Sequence, residues 1–155
     1  MKHLFLFDVD SVLVDALGYL RALQDTVAHF SRRMGVGEHP PTETEVRAGE
    51  AHGLTSEWDS APTYIAILLI ERLRREPALR LPPRWEDAMN VLAAHPMSLP
   101  HPDYSTIAAR IGERLRQDGG ATAPAAHAVL DEIAQMLPQS QYDLSLIHIS
   151  EPTRP

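Results

Sequence analysis

Apolar positions in this chain follow two spacings. Residues Leu4 to Phe7 form a short run in which both alternate sets, Phe5/Phe7 and Leu4/Leu6, are apolar. A strand covered on both faces reads this way, as in the middle of a parallel sheet. From Leu17 onward the spacing becomes three and four. Leu17, Leu20, Leu23, Val27, Phe30 and Met34 mark the buried stripe of a helix that follows Asp15 and ends near Met34. Arg32 and Arg33 suit the negative end of its dipole, and Gly35 can adopt the left-handed cap.

The same reading predicts five further helices. Thr42 opens the second, with Glu45 three residues on as in a capping box, and Gly53 ends it. The third, Ser60 to Arg75, keeps Pro62 in its first turn, where a missing N–H costs little. Its Tyr64, Ile65, Leu68, Leu69 and Leu73 share a face that Ile67 and Ile70 widen, so it is expected to be buried on most sides or to sit at an interface. Arg84 to Ala94 turns Trp85, Met89 and Leu92 inward. Asp103 caps a helix carrying Tyr104, Ile107, Ile111 and Leu115 and closed by Gly119-Gly120. Ala123 to Leu137 buries Val129, Leu130, Ile133 and Leu137. Prolines keep residues 38–42, 76–83 and 95–102 as connectors.

Asp8 and Asp10 stand where the apolar run ends. In open α/β sheets that edge is where ligands bind. Two carboxylates close together there need a cation or hydrogen-bond donors. The run followed by Asp8-Val-Asp10-Ser-Val-Leu-Val-Asp15 resembles the first motif of the haloacid dehalogenase-like (HAD) hydrolases, with Ser11 where that family usually has glycine. The resemblance implies an α/β, Rossmann-like core with a helical cap, truncated here to one core strand and a mostly α chain. It implies Asp8 as the nucleophile that forms an aspartyl-phosphate and Asp10 as the acid and base. Mg²⁺ would be held by both, and the substrate would be a small phosphorylated metabolite. The family's later strand-end Ser/Thr, phosphate-binding Lys and acidic pair have no counterpart, the only lysine being Lys2.

The resemblance divides the chain into residues 1–17 as first strand and motif, 18–143 as helical cap, and 144–155 as a non-native tail. The tail, Leu144 to Pro155, is similar to the translated read-through of a sequencing adapter. The chain is therefore expected to be a truncated and inactive hydrolase or phosphatase. The alternative is a non-catalytic helical interaction module docking through the Ile65–Ile70 face. Further substrate contacts are expected at Arg47, Glu57 and Trp58, set against plainer roles: Arg47 pairing with Glu43 or Glu50, Trp58 in the core, Asp59 as a cap. His95, His101 and Asp103 have zinc-compatible chemistry but lack ligand spacing.

Composition narrows this only slightly. The 155 residues carry a formal net charge of −7 with no basic block, which argues against nucleic acid and anionic membranes as partners. With no cysteine there is no disulfide framework. No apolar run is long enough to span a membrane, and a cytoplasmic location is expected. Oligomeric state is not legible.

Overall fold

In the computed structural model, which describes residues 17–135 and residue 137, the three- and four-residue spacings become six helices. They are α1 (Leu17–Arg33), α2 (Glu43–Ala51), α3 (Glu57–Arg75), α4 (Trp85–Ala94), α5 (Tyr104–Asp118) and α6 (Thr122–Ala134). Local chemistry sets most of their ends. Thr42 and Glu45 form the expected capping box of α2, and Asp103 accepts the Thr106 N–H at 3.0 Å to start α5. Gly35 and Gly119 follow α1 and α5 with φ of 69° and 60°, a conformation that only glycine adopts cheaply. At Gly35 a Cβ would also lie 2.9 Å from the Leu92 carbonyl oxygen, so the turn has no room for a side chain.

The start of α3 differs from expectation. Ser56, not Asp59 or Ser60, is the N-cap, and its hydroxyl accepts the Trp58 N–H at 3.2 Å. Pro62 consequently lies in the second turn, where its ring removes one helical hydrogen bond. Nearby hydroxyls lean on that stretch of backbone: Ser60 donates to the Ser56 carbonyl at 2.8 Å and Thr63 to the Asp59 carbonyl at 2.7 Å.

Helix α3 is the axis of the fold. Its Tyr64, Ala66, Ile67, Leu68, Leu69, Ile70 and Leu73 are all buried. Helices α1 and α6 pack along it, α5 packs on α6 and α2, and α4 packs on α1. The C-terminal ends of α1 and α3 meet the same connector. Met97 donates its N–H to the Gly35 carbonyl at 2.8 Å, and Arg72 donates to the His95 carbonyl.

Three expectations are corrected here. The α/β fold class gives way to an all-helical one: the described residues contain six helices and no strand. The HAD-like reading that made residues 18–143 an insert in a sheet-based core loses its structural basis. The physical reason is that the helices form a core with one another, α3 being enclosed by its neighbours instead of offering a face to a sheet. The strand expected at Leu4 to Phe7, the Asp8/Asp10 motif and the tail from Leu144 lie outside the described residues. The docking face expected at Ile65–Ile70 is likewise corrected, because Ala66 to Ile70 form the core. No helix among the described residues is long and apolar enough to cross a membrane.

Arg72 is the one charged side chain that the described residues bury in this interior. Its side chain is fully buried, paired at 2.8 Å with Glu76, while Nε and Nη1 have no hydrogen-bond partner among the described residues. Burial pushes its guanidinium below the ordinary value, and the Glu76 carboxylate opposes that shift. Each buried N–H left without a partner costs about 1–3 kcal/mol. Replacing the charge by an apolar side chain of similar length removes that cost, whereas truncation also opens a cavity. Arg72→Met is therefore expected to be more stable than Arg72→Ala by about 1–3 kcal/mol in urea unfolding. The reverse order would mean that a methionine side chain cannot fill the arginine's space without strain.

Candidate functional site

The densest meeting of polar and aromatic side chains lies where two connectors cross the start of α2. The capping box places the Glu45 carboxylate beneath the Thr42 backbone, with Oε2 accepting the Thr42 N–H at 2.7 Å and its hydroxyl at 2.8 Å. From the 95–103 connector, His101 brings Nε2 to 3.1 and 3.0 Å from the two Glu45 oxygens. Pro100 and Pro102 stiffen the backbone on either side of that imidazole.

Two tyrosines support this contact from below. Tyr104, the first residue of α5, donates its hydroxyl to the His39 carbonyl at 2.7 Å. Tyr64 of α3 donates to the Glu45 carbonyl at 3.4 Å. Their rings meet edge to face at 5.0 Å, and His101 stands edge to face on Tyr104 at 5.4 Å. His39 approaches His101 at 6.1 Å between ring centroids, with its own Nε2 2.9 Å from the Val36 carbonyl oxygen.

The electrostatics separate these groups into two kinds. Burial raises both tyrosines well above the ordinary phenol value, the Glu45 carboxylate adding to the shift. Both hydroxyls stay protonated and serve as fixed donors. Burial also tends to raise Glu45. The Thr42 N–H, His101 and the Thr42 hydroxyl outweigh it and hold the carboxyl below its usual range. The cluster can thus keep a charged carboxylate in a half-buried position.

Of the residues expected from sequence to form a site, only Arg47 and Trp58 have described side chains. Asp8 and Asp10 lie outside the described residues. Arg47 is exposed on α2 and pairs with Glu43 at 2.6 Å, the plainer of its two expected roles. Glu57 opens α3, its side chain lying outside what is described. Trp58 is 82% exposed and so is not the core residue that one reading made it. The zinc-compatible trio is dispersed: His95 contacts the Val91 carbonyl at 2.9 Å, His101 turns to Glu45, and Asp103 caps α5.

Sequence reasoning missed the His101–Glu45 pair. Glu45 was legible as a capping residue, but a partner 56 positions away follows no periodicity. A shallow groove between α5 and α6, lined by Arg110, Arg114 and Glu132, has its charges matched internally: Glu132 meets the two arginines at 3.0 and 3.3 Å.

Comparison of the chain with protein-family models, with curated proteins and with solved structures finds no match to any of them. Together with the helical core, this removes the support for membership of the HAD-like hydrolases that the first fifteen residues suggested.

Removing the Tyr104 hydroxyl isolates its bond to the connector. Tyr104→Phe is expected to destabilise the fold by about 1 kcal/mol in urea unfolding, the size of one net hydrogen bond whose acceptor loses its donor. An unchanged midpoint would mean that water replaces the hydroxyl at the His39 carbonyl.

Proposed function

We propose that the chain acts as a non-catalytic helical interaction module whose contact surface is centred on Trp58. The observation that carries this reading is the 82% exposure of that indole on the first turn of α3, among described residues that bury their other large apolar side chains at least in part. Tryptophan brings a large apolar area to an interface and is enriched among the residues that dominate binding energy. Here it is presented by the Ser56-capped end of the central helix, so its backbone is fixed before any partner arrives.

The test uses the purified chain and its Trp58→Ala variant as baits in extract of the source cells. Proteins retained by the parent are expected to bind the variant at least 30-fold more weakly, matching the roughly 2 kcal/mol or more that a hot-spot tryptophan contributes. Folding stability should change by no more than about 0.5 kcal/mol, as for an exposed site. Equal retention by both baits rejects the reading.

The spacing of Asp8 and Asp10 after an apolar run supports a second reading, hydrolysis of a small phosphorylated metabolite with Mg²⁺. In it the Asp8 carboxylate attacks phosphorus and the ester oxygen leaves with a proton from Asp10. Water then cleaves the aspartyl-phosphate. Bound Mg²⁺ would supply charge neutralisation. Mg²⁺-dependent phosphate release from p-nitrophenyl phosphate that disappears in Asp8→Asn is the expected result. No release, or release indifferent to Asp8→Asn, rejects this chemistry.

A further inference from the structure

We infer that the Glu45 carboxylate is an acid-sensitive clasp: protonating it frees the first turn of α2 and the 95–103 connector from each other together, while α3 and the helices along it stay folded. The geometry places three donors from two separate segments on one carboxyl group. The Thr42 N–H and hydroxyl reach it from the helix cap, and His101 reaches it from the connector. A neutral carboxyl group cannot serve all three as an acceptor of the same strength, since bonds to an ionised oxygen are about twice as strong. The Glu45 half of the α2 capping box and the anchor of the connector therefore weaken as one event.

Charged and titratable groups surround Glu45 from every element packed against it. On its own helix, Glu43 and Arg47 neutralise each other at 2.6 Å, and Glu50 is exposed one turn further on. From α5, Asp103 is held below its ordinary value by the Thr106 N–H and hydroxyl, and Tyr104 is a protonated donor. From α3 comes the protonated Tyr64, and from the connector before α2 comes His39, whose ring faces His101.

The sign follows from the direction of the Glu45 shift. Its folded carboxyl lies below the ordinary value, so the clasp is complete above the ordinary carboxylate range. It is lost as pH falls through the lower, folded value. Packing along α3 rests on apolar contacts such as those of Leu68 and Leu73, which carry no titrating group. Protonation of Glu45 acts at the corner where the connectors cross.

The full chain, labelled with ¹⁵N and ¹³C and titrated from about pH 7 to 3 by NMR, tests this across the carboxylate range. The Glu45 carboxyl carbon and the amides of Thr42 and Leu99 should share one midpoint, lower than that of an unperturbed glutamate, with Leu68 and Leu73 amides unmoved. Glu45→Gln should abolish that midpoint at Thr42 and Leu99, and His101→Ala should move it upward at Glu45. Separate midpoints for Thr42 and Leu99, movement of Leu68 and Leu73 in the same step, or a Glu45 midpoint indifferent to His101→Ala would each overturn the clasp.

Discussion

The burial of α3 on nearly every side is the constraint that the rest of the structure obeys. A run such as Tyr64-Ile-Ala-Ile-Leu-Leu-Ile70 has no polar stripe to turn to water, so it is stable only when other helices cover it. Each fully buried Leu or Ile in it contributes about 1.5–3 kcal/mol relative to exposure. The flanking helices need only one apolar face each, and α1 has that pattern: Leu23, Val27 and Met34 are buried while Arg32 and Arg33 are exposed.

Enclosing α3 has a consequence at its C-terminal end. The chain must leave the core there, and Arg72 is caught inside with its charge. Its guanidinium meets Glu76 from the next turn and a carbonyl of the 95–97 connector, so one cation secures the exit of α3 and the exit of α4. A buried pair of this kind adds little net stability, because desolvation offsets the attraction. Its effect is positional: it selects the one arrangement in which the connector's carbonyl faces inward.

The parts of this fold legible in the sequence are those that depend on neighbours within a few residues. Capping by Thr42, Glu45 and Asp103, termination at Gly35 and Gly119, and the inward stripe of α6 all follow from short-range spacing. Fold class was not legible. The pattern of strand and motif from Leu4 to Asp15 pointed to a sheet, whereas the apolar residues that the structure describes form a helical core of their own. Trp58 was misread for a related reason. Confining Pro62 to a first turn pushed the predicted helix start to Ser60 and left Trp58 in a loop free to fold inward, whereas capping at Ser56 fixes it on an outward-facing turn.

The candidate site was illegible because its bonds join residues far apart in the chain, and they share one logic. Connectors between the helices, most of them proline-rich, form no ladders of their own, so their carbonyls must find donors elsewhere or stay in water. Side chains from the helices supply them: Tyr104 bonds to His39, Gln24 to Pro41 at 2.9 Å, Thr122 to Gly53 at 2.9 Å and Arg72 to His95. In these four pairs the acceptor is a backbone carbonyl, which any residue offers, so only the donor's identity is written in the sequence. The His101–Glu45 contact departs from that rule by pairing two titratable side chains. This makes it a point in the network of connectors where a change of protonation, rather than a change of sequence, can alter how the connectors are held.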